Sequence, residues 1–237
     1  MRTIALLLVV LLGCIIPASS QVSLGIRTGY TASNMYISGE APGDLASSHS
    51  SMETFHGWHL ELLINVPLAP GLYFQPGFRY VTKGTGLKET TDPKAGLSGV
   101  YMPRGNSLRL NYLEMPLNVV YKYPLGKGRI TAGLGPYIAL GLNGTYTYNI
   151  MQDGRTLTKH SKDVQFTRKD NDNLAVLRMH PWDAGANFAV GYEFENGLML
   201  GANYSLGMTD NDRSEFTSSK NRYVGLTLGF LFSREDY

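Results

Sequence analysis

Trp182–Phe194 reads WDAGANFAVGYEF. Trp182, Ala184, Ala186, Phe188, Val190, Tyr192 and Phe194 share one parity, and Asp183, Gly185, Asn187, Gly191 and Glu193 take the other. Period-two alternation marks a strand whose two faces meet different surroundings. Here one face is apolar with aromatics towards its ends, while the other holds glycine, asparagine and acid. Seven further stretches obey the same rule, at 22–30, 57–66, 72–80, 112–123, 130–142, 198–207 and 224–232. Eight is an even number of segments, as a closed antiparallel barrel requires.

The links between segments alternate in length. Those at 67–70, 124–127 and 195–197 are short, and the last contains the turn dipeptide Asn196-Gly197. Those at 33–53, 84–107, 144–180 and 208–221 are long and polar. Short turns on one rim and long loops on the other predict an all-β, eight-stranded, antiparallel up-and-down transmembrane β-barrel, with the long loops extracellular and the turns periplasmic. About ten residues at roughly 3.3 Å each, tilted near 45°, span about 23 Å, close to a lipid-facing band of about 25 Å.

Alternation alone also fits a soluble lipocalin-like binding barrel, whose outer face would carry many lysines and glutamates. In this chain the polar face is mostly small, with charges confined to Arg27, Glu61, Arg79, Glu114, Lys122, Asp183 and Glu193. Those seven fit a narrow lumen filled by a structural network of paired charges. The apolar face is nearly free of charge and carries Tyr30, Trp58, Tyr80, Tyr123, Trp182, Tyr192, Tyr204 and Phe232 near its strand ends. Aromatic girdles at two membrane interfaces predict that placement. The outer face is therefore expected to meet lipid.

Composition narrows the class further. The chain has 237 residues, 27 Gly, 15 Tyr, 17% charged residues, one Cys and a net charge of +2. Such near-neutrality argues against nucleic-acid binding, and one cysteine excludes a disulfide scaffold. Residues 1–20, MRTIALLLVVLLGCIIPASS, combine Arg2, an apolar run and the small residues Ala18-Ser19-Ser20. They read as a signal peptide cleaved near Ser20-Gln21, leaving a barrel domain at 21–237. Lipidation at Cys14 is the alternative, opposed by Leu12 before Gly13 and by the apolar Ile15-Ile16 after it.

Two features resist a tidy strand reading. Pro76, Pro116 and Pro136 fall inside segments, where each removes a ladder hydrogen bond, so bulges or locally wet positions are expected. Leu108 and Leu110 do not share the parity of Leu113, which predicts a bulge near Tyr112.

Residues 112–123, YLEMPLNVVYKY, resemble the Tyr-Leu-Glu-hydrophobic-Pro-Leu motif of the PorT-like outer-membrane β-barrel family common in Bacteroidetes. Gly133-Leu134-Gly135-Pro136-Tyr137 is similar to that family's Gly-x-Gly-Pro-Tyr stretch, and 225–232 to its last strand. The resemblance covers essentially the whole of 21–237. It implies an eight-stranded barrel of the OmpA/OmpX type, integral to a bacterial outer membrane, with Pro116 and Pro136 built into the motif. The family's founding member is linked to type IX protein secretion, a role that no motif of this chain carries over.

Reactive constellations are sparse. His56 and His59 stand three apart and so face opposite ways on a strand, which excludes one two-ligand metal site, while His59 could pair with Glu61. Ser50, Glu53 and His56, or His180 and Asp183, are the only sets that suggest an outer-leaflet lipid A-modifying enzyme, and neither has a diagnostic spacing. Asp170-Asn171-Asp172-Asn173 and Asp210-Asn211-Asp212 lack the glycine and distal glutamate of a calcium loop. No catalytic set, cofactor motif or metal site is expected. The 144–180 link, with cations at Arg155, Lys159, Lys162, Arg168, Lys169 and Arg178 among several aspartates, is long enough for an extra hairpin or a partner surface, and its cations could meet lipopolysaccharide phosphates. The sequence therefore predicts a non-enzymatic scaffold or interaction component of the cell envelope. Its expected partners are the bilayer, lipopolysaccharide and other envelope or secretion proteins, with the lipid enzyme and the soluble binding barrel as alternatives.

Overall fold

The computed structural model describes residues 22–39, 52–87, 103–152, 155–166, 178–211 and 217–232. The leader with Cys14, together with Ser50, the 170–173 run and Asp212, lies outside them. Ten strands follow in chain order: β1 Ser23–Gly39, β2 Met52–Ala69, β3 Leu72–Leu87, β4 Pro103–Pro124, β5 Gly128–Gln152, β6 Arg155–Phe166, β7 Arg178–Met179, β8 Trp182–Phe194, β9 Leu198–Gly207 and β10 Thr217–Phe232. Eight of them form the wall in the order β4-β3-β2-β1-β10-β9-β8-β5, and β5 pairs back onto β4 to close the ring. Every wall pairing is antiparallel. Glycines at positive φ make the tight connections, with Gly71 at 75°, Gly126 at 62° and Gly197 at 86°.

The parity read from the sequence is the parity of the wall. Leu62, Phe78, Leu134, Val190, Leu226 and their row-mates are exposed on the outside, while Glu61, Arg79, Asn187 and Ser205 are buried within. Closing the sheet removes both edges, so an apolar outside is tolerated only in lipid, where each backbone polar group must find its partner inside the wall. The strands also outrun the expected segments. β3 continues from Tyr80 to Leu87, and β5 runs 25 residues. Beyond the belt β5 folds back on β6 as a hairpin, with Gly144 opposite Val164 and Gln152 opposite Arg155, and β7 adds two parallel pairs to β6.

The prolines do not produce bulges. Pairing pauses between Leu63–Gly77 and Val66–Phe74, between Pro76–Leu117 and Arg79–Glu114, and between Pro116–Tyr137 and Val119–Leu134, with the register unchanged across each pause. Pro76, Pro116 and Pro136 thus lie on a diagonal across β3, β4 and β5, where each missing N–H costs a local rung and nothing more.

The parity break in β4 is also resolved differently from the expectation. Leu110, Tyr112 and Glu114 all point inward and are essentially inaccessible. The register slips between Asn111–Asn143 and Tyr112–Gly141, so the additional residue is Leu142 of β5. Leu110 therefore belongs to an interior apolar cluster at the loop rim with Met35, Val81, Tyr112, Tyr137, Ala139, Val164, Met179 and Tyr223. Val164 and Met179 come from β6 and β7, so both of these strands pack onto the cluster at that end of the lumen. Below it, large side chains lie across glycines of neighbouring strands. A Cβ at Gly77 would stand 2.6 Å from Glu61 Oε1, and one at Gly229 would stand 2.6 Å from Arg27 Cγ.

Candidate functional site

The inward parity of β2, β3 and β4 sets Glu61, Arg79 and Glu114 at one level of the lumen, with Lys83 two inward positions nearer the loop rim, opposite Leu110. Arg79 lies opposite Glu61 on one side and Glu114 on the other. Its guanidinium donates Nε and Nη2 to Glu61 Oε2 at 3.2 and 2.9 Å, and Nη1 to Glu114 Oε1 at 3.1 Å and to the Tyr223 hydroxyl at 2.7 Å. Tyr223 in turn donates to Glu114 Oε1 at 2.8 Å. Glu114 Oε2 stands 2.8 Å from Lys83 Nζ, and Asp183 Oδ2 lies 3.5 Å from the same ammonium.

The rings of Tyr112, Tyr137 and Tyr223 surround Lys83 Nζ at 5.1, 4.8 and 5.0 Å from their centroids. A desolvated ammonium over three aromatic faces gains from each ring quadrupole, on top of its two carboxylates. Asp183 also accepts from Thr209 Oγ1 and from Asn221 Nδ2, both at 2.9 Å. The result is a chain of alternating charge, Glu61–Arg79–Glu114–Lys83–Asp183, running towards the loop rim.

Towards the turn rim, Lys122 Nζ meets Glu193 Oε2 at 2.6 Å and lies 4.4 Å from the Tyr73 ring centroid. Arg129 donates to the Tyr73 hydroxyl at 3.3 Å. Arg27 donates Nη2 to Gln75 Oε1 at 2.8 Å, and Gln75 donates onward to Asn65 at 2.7 Å. Between the two groups is a cavity of about 50 Å³, which exposes Arg27, Gln75, Asn118, Thr131 and Asn203. One water needs roughly 10–15 Å³ of such space, so the cavity has room for a few. Among the described residues Arg27 Nε, Asn118 Oδ1 and Asn203 Nδ2 have no hydrogen-bond partner, and waters in the cavity complete them.

All seven charges singled out from the sequence point into the lumen, and the structure adds Lys83 and, at the turn rim, Arg129. Lys83 lies three residues beyond the end of segment 72–80. Continuing the alternation through Gln75, Arg79 and Val81 reaches Lys83 directly. Tyr112, Tyr137 and Tyr223 were similarly legible as tyrosines on the polar parity. His59 is buried, but its Nε2 meets Thr227 Oγ1 at 3.2 Å rather than Glu61.

On the outer face, Tyr123, Tyr192 and Phe232 lie beside the turn rim, while Tyr30, Trp58, Tyr80, Trp182 and Tyr204 lie farther up the wall. Trp58 and Tyr80 pack with ring centroids 5.2 Å apart, and Tyr192 donates its hydroxyl to Leu125 O at 2.7 Å. Tyr30 stacks on and hydrogen-bonds His56, which faces outward, away from His59.

Among the described residues the two candidate catalytic sets do not converge on one another. His56 lies on β2, while His180 and Asp183 lie at the start of β8, four strands away around the ring. Asp183 is occupied within the lumen, and the backbone N–H of His180 donates to Asn211 O. Among the described residues no group of three or more His, Cys, Asp or Glu side chains could hold a metal ion.

A closed eight-stranded barrel with a lipid-facing apolar wall and a lumen packed by ion pairs defines a small integral outer-membrane β-barrel protein. Residues 17–213 match the family of outer membrane protein beta-barrel domains, and the chain belongs to it. Similar solved structures include the outer membrane protein OprG from Pseudomonas aeruginosa, at 10% identity and TM-score 0.43, covering 91% of this chain and 98% of that one. Neisserial surface protein A is similar at 7% identity and TM-score 0.41, with coverages of 89% and 98%. Ail, the attachment invasion locus protein of Yersinia pestis, in complex with the heparin analogue sucrose octasulfate, is similar at 12% identity and TM-score 0.39, with coverages of 90% and 99%. No curated protein matches the chain.

Proposed function

We propose that this barrel is a non-enzymatic scaffold or interaction component of the cell envelope that works through its rims and outer surface rather than through its lumen. The observation that carries the reading is the barrier of Arg79 held between Glu61 and Glu114, beside Lys83 in its ring of tyrosines. An eight-stranded interior is just wide enough for side chains, and here those side chains are large, charged and mutually bonded. The outward aromatics anchor the barrel in the bilayer. Lipopolysaccharide is its outer-leaflet partner, and the loop rim, with the β5–β6 hairpin, faces the cell exterior. Within the family, the motif at 112–117 supports a PorT-like assignment and, through it, contact with secretion proteins. Residues 1–20 act as a leader removed near Ser20-Gln21.

The test is native co-purification of the tagged protein from detergent-extracted outer membranes, with partners identified by mass spectrometry and the mature N-terminus sequenced. Stoichiometric envelope or secretion subunits are the expected result. Recovery in the aqueous periplasmic fraction, or altered lipid A on overexpression that His56→Ala or His180→Ala abolishes, would overturn the reading. In planar bilayers the purified barrel should show no steady solute conductance.

A further inference from the structure

On β10 the lipid-facing row runs Phe232, Phe230, Leu228, Leu226 and Val224, all well exposed, and the next two residues of the same parity are Arg222 and Lys220. Phe232 to Arg222 is ten residues, about 33 Å along the strand and about 23 Å of height at a tilt near 45°. With Phe232 at the inner interface, Arg222 reaches the far edge of an apolar band of about 25 Å, and Lys220 stands one step beyond it. Those are the heights at which the phosphates of outer-leaflet lipid lie.

The two cations differ from the ion-paired cations of the lumen. Each lumen cation among Arg27, Arg79, Lys83 and Lys122 has a carboxylate within 4.0 Å. Among the described residues neither Arg222 nor Lys220 has one. Their cross-strand neighbours are Asn34 and Leu206 for Arg222, and Tyr36 for Lys220, none of them acidic. Asp210, a described acid near this rim, accepts from the Ser219 N–H at 2.8 Å. The Arg222 guanidinium is held 4.5 Å over the Tyr36 ring, which fixes its plane without using its donors, and its buried Nε has no hydrogen-bond partner among the described residues.

From this arrangement we infer that Arg222, Lys220 and Tyr36 form a binding site for a phosphate of outer-leaflet lipid A. The planar guanidinium takes two phosphate oxygens while its face rests on Tyr36, and Lys220 supplies a second charge from above. The acyl chains then lie along Val224 and Leu226 on the same strand face. The site deepens the lipopolysaccharide contact proposed above and rests on it.

The test uses the full mature barrel folded in detergent micelles, titrated with bisphosphorylated lipid A and with its phosphate-free form, and bound lipid is counted by native mass spectrometry. Folding of each variant is checked by heat-modifiable gel mobility. The wild type should bind the bisphosphorylated form at least tenfold more tightly. K220Q/R222Q should lose that preference, Arg222→Gln alone should lose part of it, and Lys127→Gln at the turn rim should leave it intact. If the double variant does not fold, Arg222→Gln and the weakening of wild-type binding with added salt decide the matter. Equal binding by wild type and the folded Arg222 variants overturns this site alone. A wild type without preference for the phosphorylated lipid overturns the lipopolysaccharide contact as well. Full competition by millimolar inorganic phosphate would show a free-anion site and refute the lipid assignment.

Discussion

Replacing Glu114 by glutamine keeps the shape of the side chain and removes one charge from the middle of the lumen. Arg79 keeps Glu61 at 2.9 Å, but Lys83 is left with Asp183 alone, at 3.5 Å. The paired lumen charges, Arg27, Arg79, Lys83 and Lys122 against Glu61, Glu114, Asp183 and Glu193, then change from balanced to one excess positive charge. Removing one member of a buried pair typically costs about 3–5 kcal/mol, because the other charge stays desolvated. With a urea slope near 2 kcal/mol/M, that lowers the unfolding midpoint by roughly 1.5–2.5 M.

The companion variant is E114Q/K83M. It removes the stranded ammonium and puts an unbranched apolar chain of similar length among Tyr112, Tyr137 and Tyr223. Replacing a buried pair by apolar groups is often close to neutral, so the double variant should recover more than half of the loss, a coupling of about 2 kcal/mol or more. Trp58 and Trp182, the chain's two tryptophans, lie on the outer face and report unfolding by fluorescence in lipid vesicles. A loss below about 1 kcal/mol in E114Q, or additive losses in the double variant, would refute the view that these charges hold one another in the lumen.

Other changes separate the wall from its contents. Leu226→Arg, on the lipid-facing wall, should cost about 2–4 kcal/mol in vesicle-folding titrations, whereas Met208→Arg beyond the end of β9 should cost at most about 1 kcal/mol. Gly185→Ala should destabilise by about 1–3 kcal/mol, since its Cβ would stand 2.0 Å from Leu206 O and 2.8 Å from the Tyr137 ring; urea unfolding reads the effect. Phe166→Ala removes an edge contact with Tyr112 at 5.6 Å, so protease should cut the β6 segment faster while heat-modifiable mobility shows the barrel intact.

The wall was legible because lipid and lumen demand opposite chemistry at alternate positions, as the Leu62–Phe78 and Glu61–Arg79 rows show. The reading failed where strands leave the membrane. There neither face must be apolar, so the signal ends before the strand does, and Lys83 was lost with the continuation of β3. The prolines misled for a different reason. A missing donor is a local loss, while a bulge would flip every later side chain on that strand, so the ladder gives up rungs and keeps its register. Leu110 misled because an apolar residue on the polar parity suggests a bulge, whereas the lumen has its own apolar cluster with contributions from β6 and β7. The function of the outer surface is least legible: Lys220 falls within the polar 208–221 link and Arg222 between it and segment 224–232, and only the strand register places both on the face of Val224.

The pairing of β1 with β10 runs from Leu24–Phe232 to Gly39–Thr217 through sixteen consecutive pairs without a slip or a pause. All the register slips and proline pauses lie elsewhere, among β2 to β6. This most regular seam joins segments about two hundred residues apart in the chain. Bringing them together carries the largest loop-closure entropy in the fold, and none of it is repaid until the first rungs form. The remaining wall strands can add one at a time onto a sequential neighbour, but this seam forms only after the last strand has arrived. Kinetically, closure is then a zipper, slow to nucleate and quick to run. Until it starts, the nascent sheet exposes two long edges to any other chain in reach.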